Sequence, residues 1–222
     1  MIWHRLQSAA MRVSRAAPLI LASASPRRAL LLRRAGVPFV AVDSRARERV
    51  RPPRGPGGPR LLAMANAEAK AAAVARAHPG RWVLGADTVV VLDRHLFGKP
   101  RDAADAVRML GRLQGRTHRV ITAVCLLRSP DRSCRFAVTS RVTFRAMDAE
   151  GIRGYLRRVH TLDKAGAYAA QEHAGLIIRR VTGSWSNVVG LPMERMGREL
   201  RAVGFPARAP RAKRLAFSPP PP

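Results

Sequence analysis

PLILASASPRRALLLRRAGVPFVAV, residues Pro18 to Val42, carries the clearest signature of the architecture. PLILAS (Pro18–Ser23) reads as a short buried strand. Ser25 then stands as N-cap, Pro26 takes the first helical position, and an apolar helix runs from Pro26 to Ala35 until Gly36 ends it. Phe39–Val42 is a second strand. A strand, a tight turn, a helix and a strand in so short a span are the opening of an α/β protein.

Before this stretch, residues Met1 to Ala17 carry Arg5, Arg12 and Arg15 and no acid. That weakly resembles a transit peptide, and the segment lacks the apolar core of a secretory signal. It is read as a disordered N-terminal extension, with Met11 an alternative start. On the other side, Ser44–Pro59 is an Arg-, Pro- and Gly-rich mobile loop, and an alanine-rich helix covers roughly Arg60–His78. Trp82–Asp93 (WVLGADTVVVLD) is a buried strand broken at Gly85, and Arg94-His95 turns the chain into a hairpin. Asp102 is the N-cap of the next helix, with Asp105 in its first turn. Thr117–Leu127 and Arg135–Phe144 alternate as an antiparallel pair. Asp148–Arg158 reads as a helix, Gly175–Val181 as a strand and Pro192–Val203 as the last helix. From Pro206 the chain is basic and Pro-rich and is read as a disordered tail. The folded domain is thus expected over residues 18–205.

The 222 residues carry 41 basic and 14 acidic groups, a net charge of +27. Such a field draws anions: nucleotides, nucleic acids or acidic membranes. Arginines are scattered through the whole chain, so compositional drift explains most of the charge. The lysines are more telling. There are four: Lys99 and Lys164 lie within the motifs described next, Lys70 lies in the alanine-rich helix ahead of the second of them, and Lys213 lies in the tail. A compact ammonium acts as a point charge on phosphate. Aromatics make up only 5% of the chain and no nucleic-acid module is recognisable, which counts against sequence-specific nucleic-acid binding. Nonspecific contact through Arg208, Arg211, Lys213 and Arg214 stays open. No apolar run reaches the roughly 18 residues of a membrane span. Cys125 and Cys134, expected on neighbouring strands, form neither a metal motif nor a disulfide framework, and a reducing cytoplasm is the default.

Several stretches can carry chemistry. Ser23-Ala24-Ser25-Pro26-Arg27-Arg28 places two hydroxyls and two guanidiniums where a strand gives way to a helix, whose free N–H groups bind phosphate. The alternative is a simple capped helix with exposed arginines. Gly85-Ala86-Asp87-Thr88 puts a carboxylate inside an apolar strand, which is unfavourable unless it is paired or functional. Such an Asp is bonded to backbone at a strand bend, or it activates water or holds a metal, and Gly85 allows a ligand or another backbone to approach closely. Gly98-Lys99-Pro100 follows the hairpin but is not a P-loop. Asp163-Lys164-Ala165-Gly166-Ala167-Tyr168, with Gln171 after it, suits a loop closing on a ligand, or a surface ion pair of little weight. Ser184–Pro192 reads as a turn, a buried strand and a helix start with a structural role. The histidines show no metal spacing.

Together and in this order, these pieces resemble the Maf family: LILASASPRRALLLRRAGVPF (Leu19–Phe39), GADTVVVLDRHLFGKPRDAADAVRML (Gly85–Leu110), DKAGAYAAQ (Asp163–Gln171) and SNVVGLP (Ser186–Pro192). The resemblance implies an α/β fold, with a mixed central sheet flanked by helices and two lobes around a nucleotide-binding cleft, and in many members a homodimer. It implies hydrolysis of a nucleoside triphosphate between the α- and β-phosphates with a divalent cation, Mg²⁺ or Mn²⁺. By the same resemblance Asp87 activates water, and Glu48, nine residues after Phe39, shares the metal with it. Ser23, Arg28, Lys70, Lys99 and Lys164 contact phosphates, and Arg27, Thr88 and Gln171 sort substrates. Thr88 and Gln171 match the branch acting on dTTP and UTP rather than on methylated GTP. The chain departs from the family at Arg47, where a second acid is usual, and at Glu172, where glycine is common. The rival readings are a catalytically inactive nucleotide binder and a basic nucleic-acid-binding protein.

Overall fold

The computed structural model describes residues 17–128 and 132–205. The extension expected over residues 1–17 (Ala17 apart) and the tail over 206–222 therefore lie outside the described residues. The elements are β1 (Leu19–Ala22), α1 (Pro26–Arg34), β2 (Phe39–Val42), α2 (Gly58–Ala75), β3 (Val83–Leu92), β4 (His95–Phe97), α3 (Ala103–Leu113), β5 (Thr117–Arg128), β6 (Arg132–Phe144), α4 (Ala149–Arg158), α5 (Ala174–Ile177), β7 (Ile178–Thr182), α6 (Trp185–Val189) and α7 (Met193–Ala202), with a short 3-10 turn at Ala165–Ala167.

The strands form one mixed sheet in the order β2-β1-β3-β5-β6-β7, with β4 on β3. β1 runs parallel to β2 and to β3, while β5, β6 and β7 continue antiparallel. The expected mixed α/β sheet flanked by helices is what the chain forms. Its apolar residues collect on both sheet faces. On one face α2 covers Val83, Val89, Val91, Ile121 and Ala123. On the other, α1, α3, α4, α6 and α7 pack around Leu84, Val90, Leu110, Tyr155, Leu191 and Met196.

One edge of β3 is shared. Near its start β1 pairs with Val83 and Leu84, and near its end β4 pairs with Val90, Val91 and Leu92. Neither partner strand pairs with the residues between, Gly85–Val89, on that edge. The sheet is open there, beside the carboxyl end of β1, which is where open α/β sheets accept ligands.

The strand is continuous through Gly85, not broken as expected from glycine's weak strand preference. Its lack of a side chain serves α2 instead. A Cβ at Gly85 would lie 2.1 Å from Ala67 O and 2.7 Å from Ala71 N. Ala63, Ala67 and Ala71, four residues apart, make the smooth helix face that meets it, and all three are fully buried. Of the two close approaches glycine permits, the one found here is by backbone.

Three other expectations change. Ser25 occupies the N-cap position of α1 but its side chain makes no capping bond; its N–H donates to Ser23 Oγ instead. Ser184–Pro192 contains the helix α6 where a strand was expected. Ser184 Oγ accepts from Asn187 N, and Gly190 (φ +126°) ends the turn by donating back to Ser186 O and Asn187 O. Gly175–Val181 divides into α5 and β7. Short apolar runs such as WSNVV and AGLI carry too little periodicity to separate helix from strand. Cys125 and Cys134 do lie on neighbouring strands. Cys125 opposes Arg135 and Cys134 opposes Leu126, so the two thiols point to opposite faces and both are free.

Candidate active site

Asp87 and Thr88 are consecutive on β3 and therefore point to opposite faces of the sheet. Both nevertheless line one cavity of about 780 Å³, because the cavity wraps around the open edge of β3. Ser23 and the start of α1, Glu48, α2, Gly98-Lys99, residues 163–165 and 168–170, and Val188–Gly190 complete its wall.

On the α2 side Asp87 is buried and held from two directions. Lys70 Nζ donates to its Oδ1 at 2.8 Å, and Asn66 Nδ2 donates to its Oδ2 at 3.2 Å. Lys70 and Asn66 sit one turn apart on α2, so both reach the same carboxylate. Lys70 also pairs with Glu48 Oε1 at 3.0 Å. Asn66 bonds both main-chain groups of Arg49, accepting from its N at 2.8 Å and donating to its O at 3.0 Å. This pins the loop expected to be mobile, and with it Glu48, beside Asp87. Burial pushes the Glu48 carboxyl up, but the charge and hydrogen bond of Lys70, with Lys99 and Arg28 beyond, outweigh it and hold the group below the usual carboxylate range.

On the other face Arg28 is buried and all three of its nitrogens are engaged. Nε donates to Gly190 O (3.0 Å), Nη1 to Ser23 Oγ (3.1 Å) and Nη2 to Thr88 Oγ1 (3.2 Å). Burial lowers its pKa, a direction that Asp87 opposes, yet a guanidinium stays charged at any ordinary pH. A guanidinium has five N–H groups, so two remain for a ligand. Ser23 Oγ accepts from Arg28 and from Ser25 N, which leaves its own hydrogen to donate.

Arg27 leaves α1 in another direction and pairs with Asp163 Oδ2 at 2.7 Å. Asp163 also takes Lys164 Nζ at 2.8 Å, and Lys164 donates to His160 O as well. The Asp163–Lys164 pair is no surface pair, since Lys164 is buried. Burial raises the Asp163 carboxyl, but the bonds from Lys164 and Arg27 win and bring it to about 2. Lys99 is exposed on the cavity rim. Gln171 is half-buried and lies one residue past Ala170, the last wall residue of that segment.

The structure thus brings Ser23, Arg27, Arg28, Glu48, Lys70, Asp87, Thr88, Lys99 and Lys164 to one cavity and leaves Gln171 just outside its wall. Sequence reasoning paired Asp163 with Lys164 but missed its bond to Arg27, and it missed Asn66 beside Asp87 and Thr122 behind Thr88. Asn66 had a signal, an amide one helical turn before Lys70 in an otherwise alanine-rich helix. Thr122 had none beyond its place in an alternating strand.

A cavity of this size, with six cationic side chains in its wall (Arg27, Arg28, Arg49, Lys70, Lys99 and Lys164) around a buried carboxylate, defines a polyanion-binding protein with the means to activate water. The family model described as Maf-like protein matches residues 18–203, and the chain belongs to the Maf family. It is 45% identical over 190 residues to a dTTP/UTP pyrophosphatase of Akkermansia muciniphila, covering 86% of this chain and 98% of that one. Relatives of the same name in Symbiobacterium thermophilum and Myxococcus xanthus are 43% and 44% identical, covering 85% of this chain each and 95% and 93% of their own lengths.

Proposed function

We propose that this protein hydrolyses nucleoside triphosphates, dTTP and UTP foremost, to the monophosphate and pyrophosphate. The observation that carries the reading is Asp87: a buried carboxylate, oriented by Lys70 and Asn66, in a cavity lined by Arg28, Lys99 and Lys164. The names of the relatives supply the substrate pair.

In this reading the triphosphate lies among Ser23, Arg28, Lys70, Lys99 and Lys164. These donors neutralise it and stabilise the charge that develops on the departing pyrophosphate. Asp87 accepts a proton from water as its oxygen attacks phosphorus and the α–β anhydride bond breaks, the bonding electrons leaving with pyrophosphate. Lys70 and Asn66 hold the carboxylate in place during the transfer. Arg27, Thr88 and Gln171 remain the proposed substrate-sorting residues.

Glu48 and Asp87 would hold a divalent cation, Mg²⁺ or Mn²⁺. The donor set fits: the two carboxylates already converge on one cation, Lys70 Nζ, at 3.0 and 2.8 Å. One or two carboxylates with substrate phosphate and water suit Mg²⁺. When bound, it lowers the pKa of water and offsets phosphate charge. No helix of the described residues is long and apolar enough to cross a membrane. With both thiols free, we place the activity in the cytoplasm.

The test is pyrophosphate release from dTTP, UTP, methylated GTP and the common four triphosphates with Mg²⁺ or Mn²⁺, beside Asp87→Asn. Turnover of dTTP and UTP is expected, falling at least about 100-fold in the variant while nucleotide affinity persists. A folded wild-type protein that turns over none of them refutes the reading and leaves a binding protein.

A further inference from the structure

Thr88 and Thr122 face each other across the β3–β5 ladder. Thr122 is fully buried and does not line the cavity. Its hydroxyl makes two contacts, to Asn187 O at 2.9 Å and to Thr88 Oγ1 at 3.0 Å. A carbonyl only accepts, so the first contact takes Thr122's single hydrogen. Thr122 must then accept in the second contact, and Thr88 must donate. The opposite arrangement would press two oxygen lone pairs together at 2.9 Å against Asn187 O. Thr88 Oγ1 also accepts from Arg28 Nη2. The chain of bonds therefore runs one way, from Arg28 to Thr88 to Thr122 to the main chain of α6.

This leaves Thr88 with no hydrogen for a ligand. One lone pair of its hydroxyl stays free, and Thr88 lines the cavity. A phosphate oxygen has only lone pairs to offer and is not satisfied there, whereas Ser23 and Arg28 keep hydrogens for it. The group that fits against Thr88 is an N–H. Resting on the nucleotide reading above, we infer that Thr122 is a specificity-positioning residue. It locks the Thr88 hydroxyl as an acceptor for the ring imide N–H of uracil or thymine, and so disfavours cytosine, which has a bare ring nitrogen at that position.

Asn187 makes the lock rigid. Its side-chain Nδ2 donates to Val120 O at 3.1 Å and to Ser140 Oγ at 3.0 Å, on β5 and β6, which fixes the carbonyl that Thr122 must reach. That carbonyl also accepts from Gly190 N, so removing the Thr122 hydroxyl does not orphan it. Removal does free the Thr88 hydrogen, which can then turn to the cavity and donate to the ring nitrogen of cytosine.

The experiment compares wild type, Thr122→Val and Thr122→Ser. In each, kcat/KM is measured for UTP and CTP, and equilibrium affinity for the α,β-methylene analogues of both. Valine matches threonine in shape and lacks the hydroxyl; serine keeps it. The expected result is that the UTP-to-CTP ratio narrows about tenfold in Thr122→Val, by both measures, and returns toward wild type in Thr122→Ser. An equal loss for the two nucleotides, or an unchanged ratio in a Thr122→Val protein that melts like wild type, overturns the inference. The analogue affinities keep the two ideas apart. A wild type that binds the uracil analogue preferentially without turnover sinks the hydrolase reading alone, and hydrolysis whose base preference ignores Thr122 sinks this one alone.

Discussion

Replacing Gly85 by alanine adds one methyl group, and the structure sets what that methyl does. The new Cβ would sit 2.1 Å from Ala67 O, against an ordinary contact of 3.4 Å or more, and 2.7 Å from Ala71 N. The obstacle is helix backbone, which cannot rotate aside, so α2 must withdraw from β3 by about 1.3 Å, the shortfall in that contact. Overpacking of this kind costs about 3 kcal/mol. For a domain of this size that lowers Tm by about 6 to 12 °C. The same retreat carries Lys70 and Asn66 away from Asp87. The 2.8 Å bond from Lys70 would stretch past hydrogen-bond range, and kcat should fall at least about tenfold. Thermal melting and pyrophosphate release of Gly85→Ala test this together. A Tm within about 2 °C of wild type with unchanged kcat would refute the argument that α2 rests on the bare backbone of β3.

The remaining predictions concern Asp87, protons and metal. Asp87→Asn should lower turnover at least about 100-fold while keeping nucleotide affinity. His118 is buried against Phe144 and Tyr168, and burial lowers its pKa to about 4. Its folded pKa is depressed, so the unfolded chain binds the proton more readily. Stability is full above about pH 6.5 and is lost as pH falls toward 4. The penalty reaches about 2 kcal/mol by pH 5, and denaturant titrations at pH 7.5 and 5 should show it in wild type but not in His118→Gln. Chelation should stop turnover and leave the chain folded, because among the described residues no group of three or more His, Cys, Asp or Glu forms a structural metal site. Loss of a cation from Glu48 and Asp87 lowers Tm only by mass action, so a chain that unfolds outright with chelator at room temperature would contradict the placement of the metal at Glu48 and Asp87 alone.

The β1–α1–β2 opening was legible because its apolar run, Pro26 and Gly36 each fix local geometry without help from the rest of the chain. Asp87 was legible for the opposite reason, since a carboxylate in VLGADTVVVL conflicts with its surroundings and needs a partner. The four ordered motifs named the family, and the rarity of lysine in so arginine-rich a chain marked Lys70, Lys99 and Lys164. The partners themselves were not legible. Lys70 meets Asp87 seventeen residues on, Arg27 meets Asp163 across 136, and Thr122 meets Asn187 across 65. Such contacts depend on strand order and helix docking, which local propensity does not encode. The helix α6 was misread for the same reason: five residues cannot declare a period, and only its docking on β5 and β6 decides their conformation. Local sequence alone set the chemistry available and the kind of sheet that would carry it. The tertiary structure decided how the open edge of β3 lets one cavity reach both faces of the sheet, and which way the hydrogen bonds run through it.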